Sequence, residues 1–376
     1  MPWQEVSTMS LRHEFVMLAR QAETNVAELC RRFGVSRKTG YKWLRRHAQA
    51  GAEGLSDGSR RPRHSPKRTP SEMEAAVLEL RAQHPWGGRK IRRRLEVLGQ
   101  EQVPAASTIH AILKRHGLLD PTQSSKHRAF QRFERPAPNA LWQIDFKGHF
   151  ALGAVRCHPL TVLDDHSRYS ICLRACLDET TATVQQALTE SFRRYGLPDD
   201  MLMDNGSPWG NTAEQVLTPL TVWLIRLAIR VLHGRPYHPQ TQGKDERFHR
   251  TLAVEVLNHQ RFHDLFDCQR KFDRFRDVYN LERPHEALSL EVPATRYQPS
   301  ARAFPKQIPD IEYAPGDIVR KVQDHGALYF RGRVFRISKA LRGYPVALRP
   351  TTTDGQFDVS FCHHKVAQID FRHPYE

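Results

Sequence analysis

The chain has 376 residues, 39% apolar and 26% charged, with a formal net charge of +16. That length has room for about two to four domains of ordinary size, and the composition is that of a globular protein with at least one sizeable core. No apolar run approaches a membrane span and the first residues lack a signal-peptide core, so neither a membrane nor a secreted protein is expected.

The charge is uneven. Residues 1–135 carry 26 Lys and Arg against 13 Asp and Glu, residues 136–299 carry 19 against 20, and residues 300–376 carry 12 against 8. Two basic arms around a neutral centre point to a polyanionic partner, usually nucleic acid. The six cysteines form no CxxC pair, which argues against a zinc knuckle or a disulfide framework and for a reduced, cytoplasmic setting.

Residues 10–47 read as helices. In "NVAELCRRFGVSRKTGYKWLRRH" (25–47), Val26, Leu29, Cys30 and Phe33 share one helical face, Gly34 breaks the helix, and Ser36 caps the next. That next helix presents Arg37, Lys38, Lys42, Arg45 and Arg46, with Tyr41 and Leu44 expected inward. The pattern is a helix-turn-helix with a basic recognition helix, in which Gly40 costs about 1 kcal/mol of helix propensity. A domain over 1–50 is followed by a Gly-, Pro- and Arg-rich linker over 51–70. Ser71 and Glu74 have capping-box spacing and open a second helix-turn-helix domain over 71–119. Ile91, Leu95 and Leu98, then Ile109, Ile112 and Leu113, mark its later helices, with Arg92, Lys114 and Arg115 as its candidate DNA contacts. Residues 120–138 form another basic linker.

From 139 the pattern changes. Three successive strands, a helix closed by Gly196, a short strand before Asn205-Gly206, an apolar helix, a further strand and two more helices predict a mixed α/β sheet between helices over 139–299. Residues 300–376 return to short strands, read as a small β-barrel. Arg331, Arg333 and Arg336 lie near one of its hairpins; DNA binding, contact with another protomer and a structural cap all stay open for it.

Three acids stand out. Asp145 sits within the apolar strand "NALWQIDFKGHF", Asp204 ends a strand, and Glu246 lies in the first turn of a helix, where a carboxylate favours the helix dipole. If they converge, their repulsion, roughly 4 kcal/mol for two charges about 4 Å apart at an effective dielectric of 20, calls for a divalent cation with oxygen preference. Asp245 competes with Glu246, but the two point about 100° apart on a helix. Asp164 and Asp165 in "LDDHSRY" read as turn residues bonded to local backbone.

"WQIDF" (142–146), "DNGSPWG" (204–210) and "HPQTQGKDERFHRTL" (238–252) resemble the three signature blocks of DDE transposases and retroviral-type integrases, and "NLERPHEAL" (280–288) is similar to a further motif of that core. Within that superfamily the chain resembles transposases of bacterial insertion sequences, over about 139–297. The resemblance implies a ribonuclease H-like core with Asp145 on the central strand, Asp204 after the fourth strand and Glu246 on a following helix. These would be the catalytic, metal-binding acids, holding two Mg²⁺ or Mn²⁺ ions. Lys244, Arg247 and Arg250 beside Glu246 would hold phosphates. It further implies binding of double-stranded DNA at terminal inverted repeats, phosphodiester cleavage, strand transfer into target DNA, and at least a dimer in the synaptic complex, nucleoid-associated when bound. Forty-one residues separate Asp204 from Glu246, more than in many members, which implies an insertion around 207–220. The N-terminal His₂Cys₂ zinc module of retroviral integrases is absent. Two other readings stay open: a non-enzymatic DNA-binding regulator with an inert core, and a ribonuclease H-type nuclease.

Overall fold

The computed structural model describes residues 7–58, 68–119, 134–210, 217–233 and 243–372. Parts of both expected linkers, residues 211–216 of the expected insertion, and the "HPQTQ" stretch with His238 lie outside them. The chain divides into two compact units, Met1–Arg68 and Thr69–Glu376.

The first unit is a three-helix cluster of α1 (Thr8–Ala19), α2 (Val26–Arg32) and α3 (Arg37–Ala50). Ser36 accepts a backbone N–H at the start of α3, the cap the sequence predicts, and Asn25 does the same for α2. Phe15, Val16, Leu29, Cys30, Trp43 and Leu55 make the core. Of the expected inward pair on α3, Leu44 packs partly buried against this core, but Tyr41 is 57% exposed, and Gly40 and Trp43 face the core in its place. A Cβ on Gly40 would lie 2.5 Å from the Cys30 sulfur and 2.9 Å from the Phe15 ring. The glycine therefore lets α3 approach its neighbours, which outweighs its propensity cost.

The second unit is built on a mixed sheet: β1 (Leu141–Phe146), β2 (Phe150–Leu152), β3 (Val155–Asp164), β4 (Ser170–Cys176), β5 (Asp200–Met203) and β6 (Arg230–His233). Its order is β2-β3-β1-β5-β6, with β4 also paired to β3. The first four strands are antiparallel neighbours; β1, β5 and β6 run parallel. The hairpin strand β2 is one more than the sequence led us to expect, and it makes the strand before Asp204 the fifth. Helices α7 (Thr181–Tyr195) and α8 (Pro219–Arg226) share a core with Trp142, Ile144 and Met201 on one face. Helices α9 (Gly243–Leu252) and α10 (Leu265–Leu281) bury Phe248, Leu252, Phe272 and Phe275 against Leu163 and Leu173 on the other. The β1 alternation thus splits Trp142 and Ile144 from Gln143 and Asp145.

A second helical cluster, α4 (Ser71–Gln83), α5 (Gly88–Val97) and α6 (Ala106–Arg115), packs on Val77, Trp86, Ile91, Leu95, Ile109 and Leu113. The capping box is corrected: Pro70 is the N-cap and no side chain caps α4. Glu74 is buried and accepts from Arg115 (2.6 Å) and His116 (2.8 Å) at the end of α6. α5 leaves Arg89 and Arg92 exposed and leans Lys90, Arg93 and Arg94 inward. Arg93 meets Glu291 at 2.6 Å, Arg94 pairs with Glu282, and burial lowers Lys90 to about 7 despite the nearby Glu255 and Glu286.

The C-terminal strands do not close into the expected barrel. β7 (Ile318–Lys321), β10 (Pro345–Pro350), β11 (Gln356–Phe361) and β12 (His364–Asp370) form an open sheet in the order β12-β11-β10-β7. The hairpin of β8 (Ala327–Phe330) and β9 (Arg333–Arg336) pairs only with itself among the described residues, so both sheets keep free edges. No described helix is long and apolar enough to cross a membrane.

Candidate active site

β1 is apolar because both of its faces are covered, and Asp145 lies near its end on the α9 side. The parallel ladder pairs Leu141 with Asp200, Trp142 with Met201 and Gln143 with Leu202. Asp204 directly follows β5, so it leaves the sheet at the same end as Asp145 on the neighbouring β1. α9 crosses the same face through Phe248 and Leu252 and carries Glu246.

The electrostatics agree with this placement. Burial raises the Asp145 carboxyl to about 6, and the charges of Asp204, Glu179 and Glu246 push in the same direction against a lowering backbone hydrogen bond from Phe146. Asp204 and Glu246 are exposed, and the Asp204 carboxylate accepts the Asn205 N–H at 2.7 Å. Asp145 therefore feels the charges of both Asp204 and Glu246 at one end of the sheet. The three acids do not close into a cage: no three Asp, Glu, His or Cys groups among the described residues stand ready to hold an ion. The donor set still suits a hard dication, since it is all carboxylate oxygen and its central member bears a charge that its surroundings disfavour.

Asp245 and Glu246 separate as helix geometry requires. Asp245 is 1% exposed, and neither carboxyl oxygen has a hydrogen-bond partner among the described residues. Burial, with the charges of Asp145 and Asp165, holds this carboxyl well above the usual range.

His249 is a site residue the sequence reading missed. Its Nδ1 is 4.0 Å from Asp145 Oδ2 and its Nε2 is 2.9 Å from Thr161 Oγ1. The Thr161 hydroxyl donates to the Asp145 carbonyl at 2.9 Å, so its oxygen accepts the Nε2 proton and leaves Nδ1 bare toward Asp145. Burial, aided by Lys147, lowers His249 to about 4, which keeps it neutral at ordinary pH. Its spacing of three from Glu246 on a helix was the available signal.

The candidate DNA contacts divide. Arg37, Lys38, Lys42 and Arg45 are exposed along one face of α3, whereas Arg46 donates to the Ser56 carbonyl at 2.8 Å. Lys114 is exposed; Arg92 pairs with Glu96 at 2.9 Å and Arg115 with Glu74. Arg247 and Arg250 are exposed on α9, while Lys244 is turned inward to Asp165.

Models of an integrase core domain match residues 135–239 and 227–293, and that of the IS481 family transposase C-terminal domain matches 317–375. A helix-turn-helix domain matches residues 12–63 and a homeodomain-like domain 39–113. The chain is similar to the insertion element IS476 uncharacterized 39.2 kDa protein of Xanthomonas euvesicatoria: 26% identical over 62% of this chain and 67% of that protein. It is also similar to the insertion element IS407 uncharacterized 31.7 kDa protein of Burkholderia multivorans, 26% identical over 42% of this chain and 55% of that one. Among solved structures, a chain of the simian T-cell lymphotropic virus intasome is 14% identical with a TM-score of 0.39, over 79% of this chain and 96% of that one.

Proposed function

We propose that this chain, which its matched domains mark as a DDE transposase of the integrase superfamily, binds the terminal inverted repeats of an insertion element. It cleaves a phosphodiester at each end and joins the freed 3′-hydroxyl to target DNA. The observation that supports the reading is that the charges of Asp204 and Glu246 both reach the Asp145 carboxyl at one end of the sheet.

Asp145, Asp204 and Glu246 would hold Mg²⁺ or Mn²⁺, in one or two ions. When bound, such a cation activates the attacking oxygen and offsets charge on the leaving one. The chain's own groups do the rest. His249, neutral and tied to Thr161, keeps an unprotonated nitrogen beside Asp145 without adding positive charge that would compete with the cation. Arg247 and Arg250 lie exposed on the Glu246 helix, where phosphate contacts fix DNA register beside the reacting bond. Arg37, Lys38, Lys42 and Arg45 supply a basic face on α3 for the major groove. Joining two ends to one target calls for at least two copies of the chain.

The test uses DNA carrying the element's own ends with Mg²⁺, comparing the wild type with Asp204→Asn. Expected is a metal-dependent cleaved and joined product that the variant loses while it still binds DNA. Binding without any metal-dependent product would make the protein a DNA-binding regulator, and cutting of RNA in a hybrid without end preference would make it a ribonuclease H-type nuclease.

A further inference from the structure

Asp165 follows β3 and reads in the sequence as a turn residue. Asp164 fits that description in part, accepting the Ser167 N–H and hydroxyl three residues on. Asp165 makes no such local bonds. It is fully buried, and its partners come from far along the chain. Its N–H donates to the Leu141 carbonyl at 2.9 Å. One carboxylate oxygen accepts the Arg135 N–H at 2.7 Å. The other accepts Gln143 Nε2 at 2.7 Å and the Lys244 ammonium, which also donates to the Asp165 carbonyl at 3.1 Å.

Two of those partners bear on the reaction. Gln143 is two residues before Asp145 on β1 and shares its face. Lys244 is two residues before Glu246 in the first turn of α9, with its side chain 16% exposed. Asp165 therefore joins the strand that carries one catalytic acid to the helix turn that carries another. Residues two apart on a helix differ by about 200° in direction, so drawing Lys244 inward fixes the rotation that leaves Glu246 on the open side.

We propose that Asp165 is a positioning residue for DNA cleavage and joining: it anchors Lys244, and through it the first turn of α9, so that Glu246 is held in register with Asp145. This rests on the catalytic reading above. It also reassigns Lys244 from a phosphate contact to an anchor. A buried ion pair adds little net stability compared with apolar packing, but it sets geometry, and the loss of one partner leaves the other uncompensated.

The test uses the full chain and two variants, Asp165→Asn and Lys244→Met. Lys244→Met leaves Asp165 its bonds to Arg135 and Gln143 and so serves if Asp165→Asn does not fold. Amide hydrogen exchange, without DNA or metal, is expected to rise over residues 243–252 in Lys244→Met and to stay at the wild-type level in β1 and α10. With cognate DNA at saturation, the cleavage rate is expected to fall about 10–100-fold, the cost usual for groups that orient metal ligands. DNA affinity should stay within about two-fold, with an unchanged salt slope. The double variant is expected to be no slower than the slower single one, because both remove one contact. Unchanged exchange in α9 overturns the anchor whether or not any DNA is cut. Weaker DNA binding with the salt slope reduced by about one restores Lys244 to the phosphates and overturns it too. An inactive wild type would count against the catalytic reading alone, and the exchange data would still decide on the anchor.

Discussion

α3 and α5 look alike in sequence, as short helices crowded with Arg and Lys, and the fold puts them to opposite uses. On α3 the basic side chains at 37, 38, 42 and 45 stay exposed, and Tyr41 joins them, while Gly40 and Trp43 take the inward side. On α5 the inward-leaning basic groups are spent on acids of the core: Arg93 on Glu291, Arg94 on Glu282, and Lys90 in a buried setting near Glu255 and Glu286. A run of basic residues thus stays exposed to a polyanion only where nothing acidic packs against it. "NLERPHEAL" acquires a second use, since Glu282 and Glu286 lie within it.

The contrast can be broken in four ways, here from the largest effect down. Gly40→Ala tests the inner side of α3. Helix propensity alone expects a gain of about 1 kcal/mol. The approach of Cys30 and Phe15 expects instead a loss of about 1–3 kcal/mol, as for an overpacked core, read by denaturant unfolding of the full chain. A more stable variant would contradict the packing described here. Next, Lys42→Ala with Arg45→Ala tests the outer side: affinity for the terminal sequence should drop about ten-fold or more, with the salt slope lowered by about two. Unaltered binding would leave α3 without a role in gripping DNA.

Lys90 gives the pH-dependent arm. Its folded value of about 7 lies below the ordinary 10.5, so between those values the folded chain binds fewer protons than the unfolded one and stability rises with pH. Lys90→Met should therefore stabilise the protein by about 1–2 kcal/mol at pH 7, with the advantage fading toward pH 10. Melting curves in which the gap widens with rising pH would reverse the sign. The smallest effect is expected for Arg93→Ala with Arg94→Ala, about 0.5–1 kcal/mol of stability for partly exposed pairs, with no change in the salt slope of DNA binding. A lowered slope would return these arginines to DNA and erase the distinction between the two helices.

Much of the local structure was legible. Ser36 caps the helix it precedes, and the apolar stripes of α2, α5 and α6 face their cores, except Leu98, which is 52% exposed past the end of α5. The acid within β1 was conspicuous, because Asp145 is an ionisable group set among Leu141, Trp142, Ile144 and Phe146. Other features depended on distant chain. Glu74 has capping-box spacing but is claimed by Arg115 and His116, some forty residues on. Tyr41 and Trp43 are both aromatic, and only the positions of Phe15 and Cys30 decide which goes inward. The last strands have barrel-like periodicity, yet closure depends on pairing between edges, which periodicity does not encode. His249 and Thr161 gave no sequence signal of their joint contact with Asp145 beyond a helical spacing.

What the sequence determined by itself is the order of the elements and the three acidic blocks, since propensity, caps and apolar periodicity act over a few residues at a time. What only the tertiary structure decided is the fate of the charges: which arginines stay in water, that Asp165 is an anchor, and that Asp245 turns inward while Glu246 does not. A charged group's energy depends on its solvent exposure and on the partner within a few ångströms, and both are supplied by segments from 22 to 198 residues away.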